Sequence, residues 1–118
     1  MKELTPGEIL KQLTIKNYEL TKLNMELSKA GNEKDTYEKE YKKALAIKLL
    51  ELRAERVPTV IIQDIAKGDS KINELRYLRD NARSKFSITL SAIANKRIEI
   101  ETLRSKLTWQ RVELSQRD

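Results

Sequence analysis

The chain has 118 residues, of which 36% are charged and 39% hydrophobic, carries a net charge of +6 and contains neither cysteine nor histidine. That removes disulfides, thiolate catalysis, the usual zinc sites and the commonest general base, and leaves metals only carboxylate and carbonyl donors. The balance suits a long, surface-rich helical protein rather than a disordered tail, and no stretch approaches the roughly 20 apolar residues of a membrane span.

The opening Met1-Lys2-Glu3-Leu4-Thr5-Pro6-Gly7 has no apolar run of the signal-peptide kind, so the chain reads as cytoplasmic with no membrane attachment. Thr5 suits an N-cap, Pro6 the first helical position, and Glu8, three residues after Thr5, completes a capping box. A helix over 7–56 follows. Its apolar residues Leu13, Leu20, Leu23, Leu27, Ala30, Tyr37, Tyr41 and Ala44 recur in steps of three, four or seven. Gly31 is the soft spot, where the helix is expected to continue and a local kink has room to form. Val57-Pro58 stops the helix, because the residue before proline is pushed out of helical geometry. The tip, 57–68, has β-branched residues that favour a strand, but its Pro start and Gly68 stop favour a short helix, and a short helix is expected. Asp69 or Ser70 then caps a second long helix, 69–114, with core residues Ile72, Leu75, Ala82, Phe86, Ile93, Ile100, Leu103 and Leu107.

Laid antiparallel, the long helices match apolar positions wherever residue numbers sum to 123: Leu20 with Leu103, Leu23 with Ile100, Ala30 with Ile93, Tyr37 with Phe86, Tyr41 with Ala82. The midpoint falls between Ile61 and Ile62, at the expected turn. The fold class is therefore all-α: one domain, 1–118, forming a long antiparallel helical hairpin, a coiled coil with a short helical connector at its tip. Leu45, Leu49, Leu52, Val60, Ile61, Ile62, Ile65, Ile72, Leu75 and Leu78 are expected to build a small core there. A hairpin buries little per residue, so an oligomeric bundle is expected as well.

Two charged stripes flank the seam. Glu19, Glu26, Glu33 and Glu40 recur every seven residues on the first helix; Arg76, Arg83, Arg97, Arg104 and Arg111 recur at multiples of seven on the second, with Leu90 in the missing step. Antiparallel neighbours match g to g and e to e. The glutamates should then meet the opposite lysines, as Glu40–Lys85 and Glu19–Lys106, while the arginines face Asn17, Asn24, Gly31, Glu38 and Leu45 and are read as a row lacking an acidic partner within the chain. Three readings of the arginine row stay open: phosphate contact with nucleic acid, a protein interface, or a solvated face with local pairs such as Arg97–Glu101 and Asp80 with Arg76 or Arg83.

Apolar residues off the seam favour protein contact. Leu10, Ile15, Met25, Ile47, Leu50, Leu78, Ile88, Ile98, Trp109 and Val112 cannot all be buried by two helices, and Met25, Ile88, Ile98 and Trp109 are the candidate oligomer interface. Lys34 opposite Thr89 and Lys96 opposite Leu27 would fix register in a wet seam. There is no Gly-rich phosphate loop and no carboxylate pair in an expected cleft, so neither an enzyme, a cofactor nor a small-molecule substrate is indicated.

The run from Ala44 to Asp69, ALAIKLLELRAERVPTVIIQDIAKGD, followed by Glu74-Leu75-Arg76 and Arg79-Asp80, resembles small helical coiled-coil proteins of phages and prophages of Gram-positive bacteria. The order of helix, Val-Pro, short apolar stretch and Gly-Asp carries the likeness, which covers roughly 41–108; the rest is generic coiled coil. The resemblance implies a genetic setting beside replication and recombination genes, a bacterial host cytoplasm, and an accessory, non-enzymatic role through a protein partner, single-stranded DNA or both. An inhibitor of a host defence protein and a structural scaffold are the alternatives.

Overall fold

In the computed structural model, which describes residues 3–116, three helices follow one another: α1 (Pro6–Ala54), α2 (Thr59–Gly68) and α3 (Ser70–Gln116). Among the described residues there is no strand, and no helix is long and apolar enough to cross a membrane. The chain divides into two compact units, Met1–Leu27 with Ile88–Asp118, and Ser28–Ser87. In each, a stretch of α1 packs antiparallel on a stretch of α3. The expected all-α helical hairpin with a short helical connector is the fold.

The helix ends follow from local chemistry. The Thr5 hydroxyl accepts the Glu8 backbone N–H at 3.2 Å, satisfying one of the donors that a first turn leaves open. α1 closes with Arg56 at φ 60°, its N–H donating to the Arg53 carbonyl while the Val57 N–H reaches back to that of Leu52 at 3.1 Å. This is the Schellman pattern, with arginine in the left-handed position that glycine usually takes, and Val57 packs on the cluster around Leu52. Asp69 caps α3, its carboxylate accepting the N–H groups of Lys71 and Ile72. The helix runs unbroken through Gly31.

In the first unit Ile9, Ile93, Ile100 and Leu103 are buried, with Leu13, Leu20, Leu23 and Leu107 half-buried beside them. Lys16 meets Glu99 at 3.1 Å, and Lys96 lies between Glu19 and Glu99. In the second unit Ala30, Tyr41, Ile72 and Ala82 are buried. Phe86 lies against Gly31, whose absent Cβ would stand 3.5 Å from the ring.

The seam residues are those expected, but the lysine–carboxylate pairs fall about one heptad from the expected matches, while Arg83 keeps the Glu38 set opposite it. Lys16 meets Glu99 where the apolar match places Leu107; Lys48 meets Asp69, at 3.6 Å, where it places Leu75. The anticipated Glu40–Lys85 and Glu19–Lys106 pairs are replaced by Glu33–Lys85, at 3.5 Å, and Glu19–Lys96. The Tyr37–Phe86 layer gives way to two cation–π contacts, Lys34 over Phe86 and Arg79 over Tyr41, at 4.7 and 4.3 Å. Lys34 is drawn to the Phe86 ring and Lys96 to Glu19 and Glu99. Two physical facts explain the shift. A seven-residue slip carries a to a and d to d, so hydrophobic matching scores both registers alike. The tie is broken at the tip, where α2 folds back on the end of α1 and buries Ile62 and Ala66 against Leu45, Leu49 and Leu52. Those closing turns are thus covered by α2, and α3 begins alongside Lys48. The tip core is also smaller than anticipated: Val60 is 90% exposed, and Ile61 and Ile65 are exposed too, because one short helix buries only one i, i+4 stripe.

Candidate binding faces

The arginine row breaks up when its members are placed. In the second unit Arg83 pairs with Glu38 across the seam and approaches Asp80 at 4.0 Å, while Arg76 donates to the Asn73 amide oxygen at 2.9 Å. Glu38 is the residue that the e-to-e matching set opposite Arg83, so the facing position is as expected and the reading of the row as lacking an acidic partner within the chain fails there. In the first unit Arg104 takes Glu101 at 3.1 Å, so the anticipated Arg97–Glu101 pair does not form. Among the described residues no carboxylate lies within ion-pair reach of Arg97 or Arg111. Local pairing therefore accounts for much of the row: Asp80 with Arg83 is among the pairs the sequence offered, whereas Glu101 goes to Arg104 rather than Arg97 because side-chain reach decides between neighbours on one helix.

The charged seam groups hold one another. The Lys96 ammonium, hydrogen-bonded to Glu19, keeps that carboxyl below the usual carboxylate range. Lys16 and then Lys96 do the same for Glu99, and Arg83 for Glu38. Lys96 is in turn raised above the ordinary lysine value, chiefly by Glu19.

Four apolar side chains expected at an oligomer interface are all open to solvent: Met25 70%, Ile88 69%, Ile98 64% and Trp109 68% exposed. They do not share one face. Within the first unit, Met25 stands on the side of α1 turned from the seam, with Ile15 and Tyr18 and between lysines; Lys22 lies 5.0 Å over the Tyr18 ring. Ile88, Ile98 and Trp109 stand on the corresponding side of α3. Ile98 borders a shallow depression with Arg97, Glu101, Thr102 and Ser105. The sequence signal for this division was present in the heptad positions, which put Met25 and Tyr18 on the outer face of one helix and the other three on that of the second.

A groove in the second unit, floored by Ala44, Ile47, Ile72 and Leu75, is rimmed by Lys43 and Glu51. Its mixed rim offers no concentration of one charge. Among the described residues no cluster of acidic side chains could hold a metal ion. The chain matches no protein-family model, no curated protein and no solved structure.

Proposed function

We propose that this protein acts by binding and not by catalysis, as a self-associating accessory factor in phage DNA replication or recombination within the bacterial cytoplasm. The observation that carries the reading is the outer face of α1 in the first unit, where Ile15, Tyr18 and Met25, 49%, 62% and 70% exposed, alternate with Lys11 and Lys22. Exposed apolar side chains set among cations of one sign suit an acidic protein surface, since the apolar area supplies affinity and the charge supplies orientation and on-rate. The phage setting rests on the resemblance of the tip sequence. A protein partner is favoured over DNA because Arg83 and Arg104 already hold carboxylates, which leaves, among the described residues, Arg76, Arg97 and Arg111 as the row's charges without one.

The test is co-purification from infected cells with the native chain and with a Tyr18→Glu, Met25→Glu variant, beside titration of a fluorescent single-stranded oligonucleotide at several salt concentrations. A phage replication or recombination protein retained by the native chain and lost by the variant is the expected result. Three phosphate contacts would limit the log–log salt slope to about 2.1. A much steeper slope without a protein partner would overturn the reading in favour of nucleic acid, and retention of a host defence protein instead would make the chain an inhibitor.

A further inference from the structure

The outer face of α3 in the first unit is free of charge over its whole length. Stepping alternately three and four residues from Ile88 to Gln116 gives nine positions, every one exposed and none Asp, Glu, Lys or Arg, in a chain that is 36% charged. The run extends about 42 Å at 1.5 Å per residue. Solvent-facing helix positions are where charge should concentrate, and on α1 the corresponding face does carry Lys11 and Lys22. The α3 run instead has the composition and spacing of a second heptad seam. Ile88, Asn95, Thr102 and Trp109 fall at one of its two core-type positions, and Ile98 and Ser105 at the other.

We propose that this face of α3 is a coiled-coil seam for the α3 helix of a second copy of the chain, parallel and in register. The inference rests on the reading of the protein as one that self-associates, and names the surface and the register. Three features select this occupant. The depression on the face is bordered by Ile98, Glu101, Thr102 and Ser105, at i, i+3, i+4 and i+7, which is the four-residue hole into which a facing helix inserts a side chain. Asn95 sits at the a-type position, where one asparagine fixes register and oligomer state. Charge on the seam's flanks is complementary only in a particular sense: in a parallel pair each flanking residue meets the partner residue five further on. Glu101 then meets Lys106 of the partner subunit, and the symmetric contact repeats it. Ala94 and Thr108 come opposite acidic positions, so no like charges face each other.

Single-cysteine chains test this directly, because the protein has no cysteine of its own. Under mild oxidation Ser105→Cys and Ser91→Cys chains should each crosslink to themselves, while Lys22→Cys, on the outer face of α1, should not. Sedimentation should return two chains of 13.8 kDa; Ile98→Glu should reduce this to one with helicity unchanged, and Met25→Glu should leave it at two. Glu101→Lys and Lys106→Glu should each weaken the dimer, and together restore it. Crosslinking only between Ser91→Cys and Ser105→Cys chains would overturn the parallel register. A dimer unaffected by any α3 substitution would overturn the seam while leaving self-association and partner binding intact, and a monomer at high micromolar concentration would overturn both the seam and self-association without touching the partner reading.

Discussion

Gly31 illustrates how a residue that looks like a defect can be replaced with gain. Its backbone is helical, and an added Cβ would make ordinary van der Waals contact with the Phe86 ring at 3.5 Å. Gly31→Ala should therefore raise stability by about 1 kcal/mol, the helix-propensity difference, read as a higher melting temperature. A loss would mean that the ring cannot accept the methyl group. At the same scale, the ion pairs fix the pH response. Glu19, Glu38 and Glu99 have lowered pKa values, so their contribution is present above the ordinary carboxylate range and is lost as pH falls through the folded-state values. Lys96 is raised, so its share is present below the ordinary lysine value and fades as pH climbs through the folded one. Denaturant midpoints should show a plateau at neutral pH and decline on both sides. Lys96→Met should flatten the acid limb, since Glu19 loses the partner that holds its pKa down.

The elements were more legible than their alignment. Thr5 at the first cap, the stop at Val57-Pro58, a helical α2 and the Asp69 cap all follow from chemistry within a few residues, and each is present. Seam membership followed as well, because 3.5-residue periodicity reports which side of a helix is buried. Register did not, since a sum rule built on apolar matches cannot distinguish slips of seven, and it treated the connector as a bend without length. The two registers make different electrostatic predictions that a double-mutant cycle separates. Glu19→Gln and Lys96→Gln should show a coupling energy, whereas Glu19→Gln and Lys106→Gln should be additive. Coupling found only in the second cycle would restore the pairing that apolar matching favours. The arginine row was visible as spacing and in part as pairing: Glu38 was set opposite Arg83 and Asp80 beside it, whereas Glu101 takes Arg104 and not Arg97 because side-chain reach decides between neighbours.

For the molecule as a whole, the packing of α2 on α1 also bears on the route by which the chain folds. Leu52 and Ile62 lie about ten residues apart, whereas Glu19 and Lys96 are 77 apart. Closing the longer loop first would cost about 2 kcal/mol more in chain entropy, from the logarithmic dependence on loop length. The bend should accordingly form early, with later contacts added outward from it in the manner of a zipper. Ile62→Ala, at a side chain only 3% exposed, should cost about 2–5 kcal/mol and slow refolding as much as it destabilises; unfolding that merely accelerates would place the nucleus elsewhere. A chain assembled in this order meets the correct partner for each residue before the displaced one comes within range. Registers that hydrophobic matching leaves nearly degenerate at equilibrium are then separated by time.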